Sequence, residues 1–354
     1  IMIGGAGDEV YYVDDANDQL VENANEGLDT VHATLSYTLA DNIENLILDA
    51  VGHNSDGSGN NLANQLTGND YDNRLDGGAG PDMMAGGLGD DAYVVDTADD
   101  QVIEAADAGW DTVEVGFTYT LGSNLENLVL IGTADINGTG NAFDNDIRGN
   151  AGNNVIDGGM GADHLAGGSG NDTYYTDQQG DSVQEDYGEG VDTEIRSFDT
   201  LYRLANGVEN LTLTDTVYRG NGNELDNVIT GNDADNNLWG MEGDDTLIGG
   251  GGDDALFGDV DRDTMIGGAG DDYYEVDDVG DVIVENANEG DDFVRSTVSW
   301  TLGANLERLA VDGTDDLAVT GNDLDNGPWG HLGVKVLTGG PGNHHLYGEA
   351  GDEV

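Results

Sequence analysis

Residues 249–272 read GGGGDDALFGDVDRDTMIGGAGDD. Seven aspartates and eight glycines share this stretch with a single arginine, and Gly249, Gly258 and Gly267 fall nine residues apart. Each opens a nonapeptide whose sixth residue is acidic (Asp254, Asp263, Asp272) and whose eighth is large and apolar (Leu256, Met265, Tyr274). One apolar position per short fixed period, set between Gly/Asp turns, lacks the 3.6-residue stripe of a helix. It predicts short strands stacked into a solenoid, in which neighbouring coils bury a common core.

The phase extends through the chain. Nonapeptides begin at Gly4; at Gly59, Gly68, Gly77 and Gly86; at Gly140, Gly149, Gly158 and Gly167; at Gly222, Gly231, Gly240, Gly249, Gly258 and Gly267; and at Gly321, Gly330 and Gly339. Their eighth residue is apolar or tyrosine in every case but Pro328, and so is expected in the core. If two nonapeptides make one coil, residues eighteen apart lie above one another. A longer period overlies the short one. The tyrosine-bearing blocks at Gly4, Gly86, Gly167 and Gly267 are each followed by an acid ten residues on (Asp14, Asp96, Asp177, Asp277), one at eighteen (Glu22, Glu104, Glu185, Glu285) and one at twenty-five (Asp29, Asp111, Asp192, Asp292). These landmarks divide one continuous solenoid into units 1–85, 86–166, 167–266 and 267–347, with 348–354 beginning a further one. The third unit is longer by two nonapeptides.

Position six carries the charge. It is Asn in the early blocks (Asn64, Asn73, Asn145, Asn154, Asn227, Asn236, Asn326) and Asp in the later ones (Asp82, Asp91, Asp163, Asp172, Asp245, Asp254, Asp263, Asp272). The eighteen-residue spacing sets Asn64 over Asp82, Asn73 over Asp91, Asn145 over Asp163 and Asn154 over Asp172; only the third array stacks Asp on Asp, as Asp245 on Asp263 and Asp254 on Asp272. Two carboxylates about 5 Å apart repel by roughly 3 kcal/mol at an effective dielectric of 20. The whole chain has 73 acidic against 9 basic residues, a formal charge of −64, and one lysine, Lys335. Cations must offset this. An all-oxygen donor set of carboxylates and turn carbonyls is what Ca²⁺ takes. Zinc is disfavoured, because cysteine is absent and the six histidines do not follow the repeat.

The nonapeptides GGAGDDYYE (267–275), GGLGDDAYV (86–94), GGSGNDTYY (167–175) and GGMGADHLA (158–166) fit G-G-x-G-x-D-x-U-x. Over nearly its whole length the chain resembles the RTX (repeats-in-toxin), hemolysin-type calcium-binding repeat family. The resemblance implies an all-β parallel β-roll, secretion by a type I system, an extracellular or cell-surface location, and folding upon contact with calcium. Carried over by position, the ligands would be Asp82, Asp91, Asp163, Asp172, Asp245, Asp254, Asp263 and Asp272, completed by turn glycine carbonyls. The acids ten, eighteen and twenty-five residues beyond each tyrosine block are either further ligands or turn residues at strand ends. Some positions depart from the pattern: Glu9 stands at position six of the first block, Lys335 and His344 in the last array, so calcium ligation is not expected over 327–347.

The acidity opposes nucleic acid and anionic membranes as partners, and no apolar run reaches the roughly 18 residues of a spanning helix. No nucleophile motif appears, and paired carboxylates recur on every coil, so no catalytic pair stands apart; the expectation is no enzyme. Trp110, Trp239, Trp300 and Trp329 are out of phase and read as packing residues. Two functions fit: a calcium-rigidified structural rod of a matrix, surface layer, adhesin or filament, or a noncatalytic secretion and folding module of a larger type I secreted enzyme or toxin. AGDEV occurs at both 6–10 and 350–354. That repetition suggests either excision from a longer array or head-to-tail stacking of copies.

Overall fold

The computed structural model describes residues 1–50, 52–199, 201, 203–214, 216–312, 316–330 and 335–348. The expected further unit at 348–354 lies, but for residue 348, outside the described residues, as do the side chains of Pro328 and Lys335. Every described element is a β-strand, and every strand pairing is parallel. Two compact units form, residues 1–170 with 180–182, and residues 171–179 with 183–354. Each is a parallel β-solenoid.

In the first unit, strand Gln65–Thr67 pairs with Met83–Ala85 so that Gln65 faces Met83, eighteen residues on. In the second, Thr246–Gly251 pairs with Thr264–Ala269, and Asn237–Met241 with Ala255–Asp259, again eighteen apart. Two nonapeptides therefore make one coil. Between the arrays the coil length changes: Ala92 pairs with Thr112 and Tyr273 with Phe293, twenty apart, while Thr112 pairs with Asn127 and Phe293 with Arg308, fifteen apart.

Alternation along each strand sends position eight inward. Leu66, Leu75, Met84 and Tyr93 in the first unit, and Ile229, Leu238, Leu247, Leu256, Met265 and Tyr274 in the second, are all fully buried. The expectation fails at Leu346, which is 48% exposed. Trp110 also departs from a packing role, at 60% exposure. Its neighbour Asp111 points in, so Trp110 must point out.

The second unit buries a charged pair in its core. Glu194 and Arg196 are buried where the equivalent strand of the first unit carries Val113 and Val115. They pair at 2.8 Å, and the hydroxyl of Thr176 donates to the same Glu194 oxygen. The carboxylate and guanidinium compensate each other, which a lone buried charge could not.

Candidate metal centres

The turns between strands stack as closely as the strands do, and position six sits at their centre. All eight position-six aspartates are at most 2% exposed. The carboxylate of each lies over the first glycine of its own nonapeptide. A Cβ on Gly249 would fall 2.2 Å from Asp254 Oδ2, and one on Gly258 2.2 Å from Asp263 Oδ2. Glycine is needed at position one because the acid occupies the space a side chain would take. Where position two is glycine there is another reason: Gly250 and Gly268 hold φ of 111° and 104°, left-handed values that L-residues rarely adopt.

One oxygen of each of these aspartates has a defined duty. The Asn64 amide N–H donates to Asp82 Oδ1 at 2.7 Å, and the Asn73 N–H donates to Asp91 Oδ1 at 2.7 Å. In the third array this continues as a ladder: Asn236 N–H to Asp254 Oδ1, Asp254 N–H to Asp272 Oδ1, Asp272 N–H to Asp292 Oδ1, Asp292 N–H to Glu307 Oε2, at 2.7 to 2.9 Å. The other oxygen has no such duty. Oδ2 of Asp82, Asp91, Asp245, Asp254, Asp263 and Asp272 is buried without a hydrogen-bond partner, and none of these acids is ion-paired to an arginine, lysine or histidine among the described residues.

Burial makes such a carboxylate hold its proton more tightly. Burial, with Asp263 nearby, pushes Asp245 up to about 8. It raises Asp254, Asp263 and Asp272 to about 7, and Asp82 to about 6. In each, the amide hydrogen bond opposes the shift without cancelling it.

Asparagine at position six behaves differently. Asn64 Oδ1 accepts the N–H of Asn60 in its own turn, and its amide donates to the carbonyls of Ile43 and Glu44 in the coil before. Asn60 in turn donates to Ala40 and Ile43 and accepts from Leu62. An Asn turn is closed by its own hydrogen bonds and leaves no charge to neutralise. In the last array His344 takes the acceptor's place, its Nδ1 receiving the N–H of Asn326 at 3.2 Å.

The structure gathers part of the longer-period series into four triads: Glu9, Glu22 and Asp29; Asp91, Glu104 and Asp111; Asp172, Glu185 and Asp192; Asp272, Glu285 and Asp292. Within each, one oxygen per residue lies within 4.8 Å of the others. Glu9, a departure from the nonapeptide pattern, thus occupies the place of aspartate in its triad. The acids at ten residues, Asp14, Asp96, Asp177 and Asp277, join none of these triads. Asp96 and Asp277 sit in turns closed by Asp100 and Asp281, whose Oδ2 atoms accept their amide N–H groups.

Asp100, Asp181 and Asp281 were missed by the sequence reading. Their Oδ1 atoms accept the amide N–H groups of Asp82, Asp163 and Asp263, eighteen residues before them. Glu44, Glu126 and Glu307 do likewise for Asp29, Asp111 and Asp292. The signal was in the sequence: an aspartate recurs fourteen residues after each tyrosine-block glycine, at Asp18, Asp100, Asp181 and Asp281.

These donors fit calcium. They are all oxygen, their carboxylates are buried with oxygens still lacking partners, and their glycines leave the space open. A bound Ca²⁺ would supply the positive charge that cancels carboxylate repulsion between coils.

The RTX calcium-binding nonapeptide repeat (4 copies) matches residues 58–93, 139–174, 221–256, 248–283 and 336–354. Over 57 residues the chain is 42% identical to the endo-1,3-1,4-beta-glycanase ExsH of Rhizobium meliloti; the match covers 16% of this chain and 12% of that relative. The shared stretch is thus a small part of the enzyme's length. With its nonapeptides in register, their acids turned into the stacked turns and the repeat matched in each array, the chain carries RTX calcium-binding nonapeptide repeats.

Proposed function

We propose that the chain is an extracellular structural repeat protein, a solenoid made rigid by Ca²⁺ held at Asp82, Asp91, Asp163, Asp172, Asp245, Asp254, Asp263 and Asp272. Its place would be a matrix, surface layer, adhesin or filament, with copies able to associate head to tail. The observation that carries the reading is the set of buried carboxylate oxygens without hydrogen-bond partners at Asp82, Asp91, Asp245, Asp254, Asp263 and Asp272, none of them ion-paired to a basic side chain among the described residues. A fold that buries uncompensated charge gains stability when its counter-charge is bound. The chain's task under this reading is mechanical: calcium outside the cell converts a self-repelling polymer into a stiff one.

A second reading, a noncatalytic folding module of a larger secreted enzyme, is favoured by the short match to a glycanase. Circular dichroism in chelator and in millimolar CaCl₂ tests the common core of both readings, with a gain of β signal on adding calcium expected. A β-rich spectrum that chelator leaves unchanged would overturn it. Negative-stain microscopy of the calcium form then separates the two: end-joined rods support the structural reading, and single short rods support the module.

A further inference from the structure

Every triad occurs where the coil lengthens from eighteen residues to twenty, as at Ala92↔Thr112 and Tyr273↔Phe293. At each of these places the buried position-eight residue is tyrosine, where the other nonapeptides, but for the one with Pro328, use Leu, Ile or Met. The reason is visible at the hydroxyl. Tyr93 accepts the N–H of Gly86 and donates to Glu104, and Tyr274 donates to Glu285. Tyr11 makes the same bond to Glu22 at 2.5 Å. The phenol reaches out of the core and fixes a glutamate that is otherwise at the end of a flexible side chain.

The triads also carry what a mere acidic cluster lacks. Asp91, Asp111 and Asp272 are at most 1% exposed and Glu285 is 9% exposed; each has a buried oxygen with no hydrogen-bond partner. The remaining oxygens of Asp111 and Asp292 are engaged by the amides of Asp91 and Asp272, which leaves the side chains rigidly held. Three carboxylates so placed suit a hard cation with metal–oxygen distances of roughly 2.3 to 2.6 Å.

We propose that Asp91–Glu104–Asp111 and Asp272–Glu285–Asp292, with the two triads in phase with them, form a second class of calcium site, one at each array-to-linker junction, in which the tyrosine is a positioning residue. The proposal rests on the calcium reading of the chain: it shares Asp91, Asp172 and Asp272 with the turn sites, but completes each with a Glu and an Asp of the longer-period series in place of turn carbonyls. Such a site fixes the register at which an eighteen-residue coil gives way to a twenty-residue one.

The test is a count of bound calcium on the full chain by equilibrium dialysis and elemental analysis. The variant carrying Glu22→Gln, Glu104→Gln, Glu185→Gln and Glu285→Gln is expected to hold four ions fewer per chain than the parent, while still gaining β signal with CaCl₂. Glu104→Gln and Glu285→Gln made singly, which each leave three triads intact, are expected to lose one ion each. Terbium luminescence excited through tyrosine gives a second readout, expected to fall at least twofold in Tyr93→Phe with Tyr274→Phe. An unchanged ion count in both single variants would overturn the proposal. No calcium uptake by the parent chain would instead overturn the functional reading itself.

Discussion

The array of residues 59–94 and that of residues 222–275 are built from the same nonapeptide, yet they handle charge differently. In the first, each Asp turn lies next to an Asn turn that is closed by its own amide, as Asn64 is over Asp82. In the second, an extra tier sets Asp245 against Asp263 and Asp254 against Asp272. The strands differ too: three residues in Gln65–Thr67 and Arg74–Asp76, but six in Thr246–Gly251 and Thr264–Ala269, where pairing runs on into the turn as Gly250↔Gly268. The difference between an amide and a carboxylate decides whether a turn completes itself or waits for a cation. The region with the most continuous backbone pairing is also the one most dependent on that cation.

Chelation should separate the two regions most sharply. Roughly 3 kcal/mol of repulsion per stacked pair corresponds to about a hundredfold. Hydrogen exchange in chelator is therefore expected to show amides of 240–272 losing protection by about that factor more than those of 59–76. Equal loss in both would break the comparison. Next in size are exchanges at position six. Asn64→Asp removes the two bonds to Ile43 and Glu44 and adds a charge beside Asp82, and should destabilise the chelated protein by about 2 to 3 kcal/mol. Asp263→Asn should do the reverse, raising chelated stability by about 1 to 2 kcal/mol while lowering the calcium count. Denaturant titration with and without chelator reads both.

Acid should partly replace calcium. Asp245 titrates near 8 and Asp254, Asp263 and Asp272 near 7 when folded, all above the ordinary carboxylate value of 3.8. The folded state therefore binds protons more tightly than the unfolded chain, and stability in chelator rises as pH falls through this window. The third array should begin to regain protection from about pH 8 downward. The turn of Asp82, near 6, should follow at lower pH. Thermal midpoints in chelator that fall between pH 8 and pH 5 would contradict this. The smallest effect concerns Met241, which stands at position two with a left-handed φ of 88°. Met241→Gly should raise the thermal midpoint slightly, by about 0.5 kcal/mol equivalent, since relief of backbone strain exceeds the entropy that glycine adds to the unfolded chain.

Periodicity made much of this readable in advance. Nine-residue phasing gave the eighteen-residue register and the buried eighth position, because stacking identical coils forces like residues onto one another. It marked position six as the seat of charge, but not as a buried position. What it did not reveal depends on backbone positions. The self-closing Asn turn requires knowing that Asn60 N–H faces Asn64 Oδ1. The gathering of Glu104 with Asp91 requires a twenty-residue coil, which no nonapeptide count supplies. Trp110 is exposed for a local reason, alternation beside the buried Asp111.

The amide-to-carboxylate ladder has a direction. Each N–H of the ladder donates to an acid that comes later in the chain, from Asn236 through Asp254, Asp272 and Asp292 to Glu307. A coil therefore lacks its acceptor until its C-terminal neighbour is in place. Folding from the C-terminal side meets ready acceptors at every step, whereas folding from the N-terminal side leaves an open donor at its growing front. The solenoid is in this sense a vectorial polymer, whose coils close like a zip with a preferred end.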